Sequence, residues 1–280
     1  MVVRTWLLSA GRIALRWGRM ALAGYLLVLL LLLFFENTLL YPAPRYPTGD
    51  WTAAELAHED VFFSSTDGTQ LHGWYFEHPA PRAVMLYVHG NGDCVAYLGP
   101  YLSQVRDKLR VSIFAFDYRG YGRSEGSPNE QGILADGDAA HRWLAERAGK
   151  RLDEVVLMGR SLGGSVAVHL AAQNGARGLI LQSTFTSLPD AVAHMYPWAP
   201  VRLLMHNRYD SLSKIGRYDG PLLSSHGTAD DLVPYELGQR LFDAAPSARK
   251  EFFTIEGGGH NSPEPREYYR TLDRWLDELP

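Results

Sequence analysis

The chain has 280 residues, is 46% hydrophobic and 21% charged, and contains a single cysteine, Cys94. That is an ordinary globular composition with apolar mass for a large core, and it excludes an intrachain disulfide or a cysteine-based zinc site. The formal net charge of −4 hides a basic N-terminus, since the first 35 residues carry Arg4, Arg12, Arg16 and Arg19 and no acid; the remainder, at about −8, repels phosphate backbones and argues against a nucleic-acid partner.

In chain order, Met20 to Phe35 is a run of sixteen residues without a charge. As a helix it extends roughly 24 Å, slightly short of a ~30 Å hydrocarbon layer. Leu39, Leu40 and Tyr41 can extend it, and Arg16 and Arg19 can snorkel at its other end. The run is long for a cleaved signal peptide, and the following ENTLLYPAP has no small-x-small cleavage site. The expected reading is a transmembrane signal anchor over residues 1–41. All four arginines precede it, which places the N-terminus in the cytoplasm and the body on the non-cytoplasmic side. Residues 42–60, with Pro42, Pro44 and Pro47, form a stiff Pro-rich linker.

From Val61 onward short β-rich runs alternate with helical patterns. Val61–Ser64 and Leu71–Phe76 flank Asp67-Gly68, a hairpin signal. Further strands are expected at Ala83–Val88, Ser112–Phe116, Val155–Met158, Gly178–Gln182, Pro221–Ser225 and Phe252–Ile255. Helices are expected at Tyr97–Leu109, Glu130–Ala148, Ser161–Asn174, Tyr235–Ala244 and Glu264–Leu279. A hairpin followed by repeated strand–helix units implies an α/β fold: one mostly parallel, eight-stranded sheet over residues 61–280 with helices on both faces. Ligands of such sheets bind outside the carboxyl ends of the strands.

One such end carries Gly159-Arg160-Ser161-Leu162-Gly163-Gly164, followed by a helical pattern. A G-x-S-x-G turn between strand and helix exposes its serine on a strained elbow, with glycines where side chains would clash. The helix beginning there aims its N–H groups at developing negative charge. The bland alternative is a helix-capping serine. Two later strand ends tell against it, one followed by Asp230 and Asp231, the other by Gly257-Gly258-Gly259-His260. A serine hydroxyl is a poor nucleophile at neutral pH. His260 would take its proton and return it to the leaving group, and a carboxylate would fix the imidazole tautomer. Leu86 to Gly92 is an apolar strand running into a Gly-rich turn, so the backbone N–H groups of Asn91 and Leu162 are the expected oxyanion donors. His89 is expected to hold that loop, and Asp117 to Ser124 to form a tight structural loop. Cys94 has no evident base of its own. The ten histidines contain no His-x-x-x-His pair, so no metal or other cofactor is expected.

The segments HGNGDC, DYRGYGRSEG, GRSLGG, HGTADDLVP and GGGHNS, in this order and spacing, resemble the α/β-hydrolase superfamily. With the N-terminal anchor and FENTLLYP, residues 36–280 look like its membrane-anchored branch of fungal cell-polarity hydrolases, lipid hydrolases and protein depalmitoylases. The resemblance implies Ser161, Asp230 and His260 as the triad, assigns the acid to Asp230 rather than Asp231, and matches Asn91 and Leu162 to the oxyanion positions. It places a short lid at about 185–219. The activity expected is hydrolysis of carboxyl esters or thioesters, on a small-molecule or acylated substrate, by a membrane-tethered serine hydrolase. A serine peptidase or aminopeptidase of the same fold is the alternative. A non-catalytic binding module is disfavoured, because no triad residue is missing.

Overall fold

The computed structural model describes residues 2–52 and 56–280, with side chains of the first helix from Leu15 onward. The side chains of Arg4 and Arg12, and residues 53–55 of the expected linker, lie outside the described residues.

A long first helix, α1 (Val2–Phe34), leads into a short α2 (Glu36–Leu40). The strands are β1 (Glu59–Ser64), β2 (Gln70–Phe76), β3 (Ala83–Val88), β4 (Val111–Asp117), β5 (Val156–Arg160), β6 (Gly178–Gln182), β7 (Leu222–Gly227) and β8 (Lys250–Ile255). Between them run α3 (Val95–Leu109), α4 (Glu130–Ala148), α5 (Leu162–Asn174), α6 (Leu188–Met195), α7 (Val201–Leu204), α8 (Leu212–Ile215) and α9 (Tyr235–Ala244), and α10 (Arg266–Asp277) closes the chain. The eight strands form one sheet in the order β1-β2-β4-β3-β5-β6-β7-β8. The β1/β2 and β2/β4 pairs are antiparallel and the remainder parallel.

The central strands are apolar along their whole length because helices cover both faces. Alternate residues supply the two layers. Leu86, Val88, Leu157, Leu179 and Leu181 face one layer with Ile133 and Leu144 of α4 and Val166 of α5. Met85, Tyr87, Val156, Met158 and Ile180 face the other with Leu102 and Val105 of α3 and Leu272 and Trp275 of α10. Local signals bound the helices. Asn129 caps α4 through its side chain, which accepts from Gly132 N–H at 2.9 Å, and Gly149 ends it in the left-handed conformation at φ 61°.

Within α1, Leu15–Phe34 is long and apolar enough to cross a membrane. The sequence reading carries the anchor on to Tyr41 and begins a Pro-rich linker at Pro42, yet in the structure residues 36–46 are stitched to the domain. The Glu36 carboxylate accepts from the backbone N–H of His206 (3.0 Å) and Asn207 (2.8 Å), and from the Asn207 side chain (2.7 Å). The Tyr41 ring joins the core, with its hydroxyl 2.7 Å from Asn207 Oδ1 and 2.9 Å from the Tyr209 hydroxyl. Arg45 bridges to Gly122, whose carbonyl accepts from Tyr46 N–H at 2.9 Å.

Candidate active site

Every residue singled out for chemistry sits at the carboxyl edge of the parallel strands. Ser161 follows β5 directly, with φ 52° and ψ −118°. A non-glycine residue there is strained, and the surroundings enforce it. Ser161 N–H donates to the Gln182 carbonyl (2.8 Å), while its own carbonyl accepts from Thr184 Oγ1 (2.8 Å) and Gly164 N–H (3.0 Å). The glycines around it permit the close approach of α5. A Cβ on Gly163 would collide with the carbonyls of Val88 and His89, and one on Gly159 with that of Gly163.

The sheet brings the two distant loops to this serine. His260 Nε2 lies 3.1 Å from Ser161 Oγ, and His260 Nδ1 lies 2.8 Å from Asp230 Oδ2. A carboxylate only accepts, so Nδ1 carries the hydrogen and the bare Nε2 faces the serine hydroxyl. Ser161 and His260 are buried and still reach the surface, at 9% and 8% exposure, while the Asp230 carboxylate behind them is fully buried. Asp231, by contrast, is exposed. Burial works against ionisation of Asp230. Hydrogen bonds from His226, His260 and the Val233 N–H outweigh it and hold the carboxyl well below its ordinary range. Its Oδ1 also accepts from Leu232 N–H at 3.0 Å. Asp230 is therefore an ionised acceptor with donors on both oxygens.

The β3–α3 turn lies against the same serine. A Cβ built on Gly90 would sit 3.7 Å from Ser161 Cβ. Among the described residues, no acceptor meets the N–H of Asn91 or of Leu162, and Leu162 opens the thirteen-residue α5. Free N–H groups at a helix start favour negative charge. The Asn91 side chain is clamped, donating to the Leu40 carbonyl at 2.6 Å and accepting from the Tyr121 hydroxyl at 2.7 Å.

The other expectations for this edge resolve as packing. His89 is buried, its Nδ1 2.8 Å from the Gly90 carbonyl and its ring 4.1 Å from that of Tyr118. Arg119 pairs with buried Asp136 at 2.7 Å and with Asp67 at 2.8 Å, which locks the loop after β4. Cys94 is buried at the start of α3, and burial pushes its thiol up to about 11, so it stays protonated. Among the described residues no three His, Cys, Asp or Glu side chains converge on a metal position.

Four supporting residues carry no role in the sequence reading. His226 Nε2–H donates to the Val233 carbonyl (2.9 Å) with Asp230 Oδ2 at 3.2 Å, so Asp230 faces two histidines. Arg160 reaches over to donate to the His260 carbonyl at 2.7 Å. Glu264 stands 3.8 Å from the Arg160 guanidinium, and Gln182 Nε2 donates to it at 3.1 Å. For Arg160 and His226 the available signal was position, since they flank the serine and acid motifs in sequence.

Comparison with known proteins places the chain in a family. A family model described as the alpha/beta hydrolase fold matches residues 83–206. The Mycobacterium tuberculosis protein Rv2307c is 37% identical, over 82% of this chain and 82% of that protein. Protein bem46 of Schizosaccharomyces pombe is 30% identical, over 87% of this chain and 86% of its own length. Human alpha/beta hydrolase domain-containing protein 17C is 30% identical, over 82% of this chain and 70% of its own. Among solved structures, the Pyrococcus furiosus esterase Pf2001 superposes with a TM-score of 0.72 at 19% identity, covering 85% of this chain and 96% of that one.

Proposed function

We infer the activity from one premise: the chain belongs to the α/β-hydrolase family, in the branch that holds bem46 and alpha/beta hydrolase domain-containing protein 17C. It is a hydrolase, and the reading advanced here is a serine hydrolase that cleaves carboxyl esters or thioesters of acyl groups. The observation that carries it is the continuous relay from Ser161 Oγ to His260 (3.1 Å) to Asp230 (2.8 Å).

Ser161 Oγ attacks the substrate carbonyl as His260 Nε2 takes its proton. The carbonyl oxygen becomes an oxyanion facing the N–H groups of Asn91 and Leu162, donors worth ~3 kcal/mol each in such sites. Asp230 stabilises the imidazolium without accepting its proton. His260 then protonates the leaving alcohol or thiol, which leaves an acyl group on Ser161. A water, deprotonated by the same nitrogen, attacks that acyl-enzyme and frees the acid. No cofactor takes part.

The preference for acyl substrates is supported by the segment after β6, which rises from the sheet edge beside Ser161. There Met195, Tyr196, Trp198 and Leu203 are exposed. Medium- and long-chain p-nitrophenyl esters are expected to turn over faster than aminoacyl-nitroanilides. Trp198→Ala is expected to raise KM for long chains several-fold more than for acetate, since a few buried methylenes are worth ~1–3 kcal/mol. Faster cleavage of the nitroanilides than of every ester tested would make the chain a peptidase.

The apolar span Leu15–Phe34 is proposed to be the membrane anchor. Arg16 and Arg19 at its start put the N-terminus in the cytoplasm and the catalytic domain on the opposite side. In intact spheroplasts or right-side-out vesicles, added protease is expected to digest the domain while alkaline extraction leaves the anchor in the membrane. Protection of the domain until the membrane is permeabilised would reverse the orientation.

A further inference from the structure

The contacts between α1 and the segment after β6 fix how deep that segment lies, given the reading of α1 as the membrane anchor. Two points on α1–α2 are tied to two points on the lid. At the near end, Glu36 holds the backbone N–H groups of His206 and Asn207 at 3.0 and 2.8 Å, and Tyr41 holds Asn207 and Tyr209. At the far end, the Tyr25 hydroxyl donates to the Trp198 carbonyl at 3.1 Å, and the two rings meet edge to face at 6.4 Å. Eleven positions separate Tyr25 from Glu36, so the lid runs back along α1 for about 16 Å, roughly half the ~30 Å apolar layer that α1 crosses. Because residues 36–46 are stitched to the domain, no loose tether lets the lid stand clear of that layer.

We propose that the lid segment Met195–Leu204 is inserted in one leaflet of the phospholipid bilayer, alongside α1. Its chemistry fits that occupant. Leu203 is 85% exposed and Trp198 52% exposed, and large apolar side chains bared together mark an interaction surface. At that depth the Tyr25 hydroxyl is bonded to the Trp198 carbonyl at 3.1 Å, so neither group is left without a partner in the apolar layer. Arg202 carries no unpaired charge into the layer, since its Nε donates to Asp190 at 2.7 Å, and the exposed Arg208 has a long stem that lets its charge point toward the headgroups. A protein partner on this face would have to compete with the lipid already packed around α1. The consequence is that substrate passes from the lipid phase directly to the strand edge that carries Ser161.

The test uses the full chain reconstituted in phosphatidylcholine vesicles, with the environment-sensitive fluorophore NBD on Leu203→Cys or, separately, on Leu26→Cys within α1. Native Cys94 is fully buried and shielded from the label. Lipids carrying a doxyl quencher on the acyl chain report contact with the apolar layer. The expected result is blue-shifted emission and comparable quenching at both positions. Quenching at Leu26 with water-like, unquenched emission at Leu203 overturns lid insertion and leaves the anchor standing. Quenching at neither position overturns the lid insertion and the anchor together.

Discussion

Ser161→Ala is expected to lower kcat on the order of a million-fold, with a fold and thermal midpoint close to those of the parent. Removing the nucleophile of a Ser-His-Asp unit costs about as much as removing all three residues, because they act as one machine. The change in stability should be small. The Ser161 side chain makes one hydrogen bond, the 3.1 Å contact with His260, and losing such a bond changes stability by ~1 kcal/mol. Alanine keeps the Cβ, so the strain at φ 52° is the same in both proteins. Circular dichroism and a thermal melt establish folding, and ester turnover gives the rate. A folded variant that retained a tenth of the parent rate would remove Ser161 from the mechanism.

Asp230→Asn is expected to lower kcat ~10⁴-fold, the drop that a mistautomerised histidine produces in a serine protease. The geometry gives the reason. Asp230 Oδ1 accepts from the N–H groups of Leu232 (3.0 Å) and Val233 (2.8 Å), and Oδ2 accepts from His260 (2.8 Å) with His226 at 3.2 Å. An asparagine offers one acceptor and one donor to these surroundings. If its oxygen stays with the backbone, its amide faces His260 Nδ1, and the imidazole must move its hydrogen to Nε2, where it can no longer accept from Ser161. Asp231→Asn, at an exposed neighbour, is expected to change kcat less than about two-fold, as surface changes away from a site usually do. Equal losses, or the reverse order, would reassign the acid. Acid stability should follow the same residue. The folded-state pKa of Asp230 lies below its ordinary value, so its ionised form stabilises the fold above about pH 4, and that contribution fades as pH falls toward the lowered value. Asp230→Asn should lose it.

The path from sequence to this site was legible where chemistry follows local pattern. Strand and helix periods locate the eight strands, with β3, β6, α4 and α9 at their observed bounds and β1 beginning at Glu59 rather than Val61. The glycines of the elbow, the turn after β3 and the loop before His260 mark positions where the backbone must approach closely. The less legible part lies in contacts between residues far apart in the chain. Glu36 meets His206 across 170 positions, and Arg160 meets the His260 carbonyl across 100; such pairings leave no period to read. The short helices α7 and α8, of four residues each, are below the length at which an apolar stripe forms. For the same reason the Pro-rich stretch after α1 reads as a spacer. Only the folded domain provides Gly122, to which Arg45 and Tyr46 of that stretch are fastened, and the Asn207 and Tyr209 that hold Glu36 and Tyr41 just before it.

The most direct measurement is the mass of the covalent intermediate. The full chain is mixed with a long-chain p-nitrophenyl ester, quenched in acid within a turnover, and digested with trypsin. The peptide that begins at Ser161 after Arg160 and ends at Arg177 should carry the mass of the acyl group on its first residue, and should lose that acyl group when the quench is delayed. An acyl group found instead on Cys94 or another side chain, or turnover with no acylated peptide at any quench time, would contradict nucleophilic catalysis by Ser161.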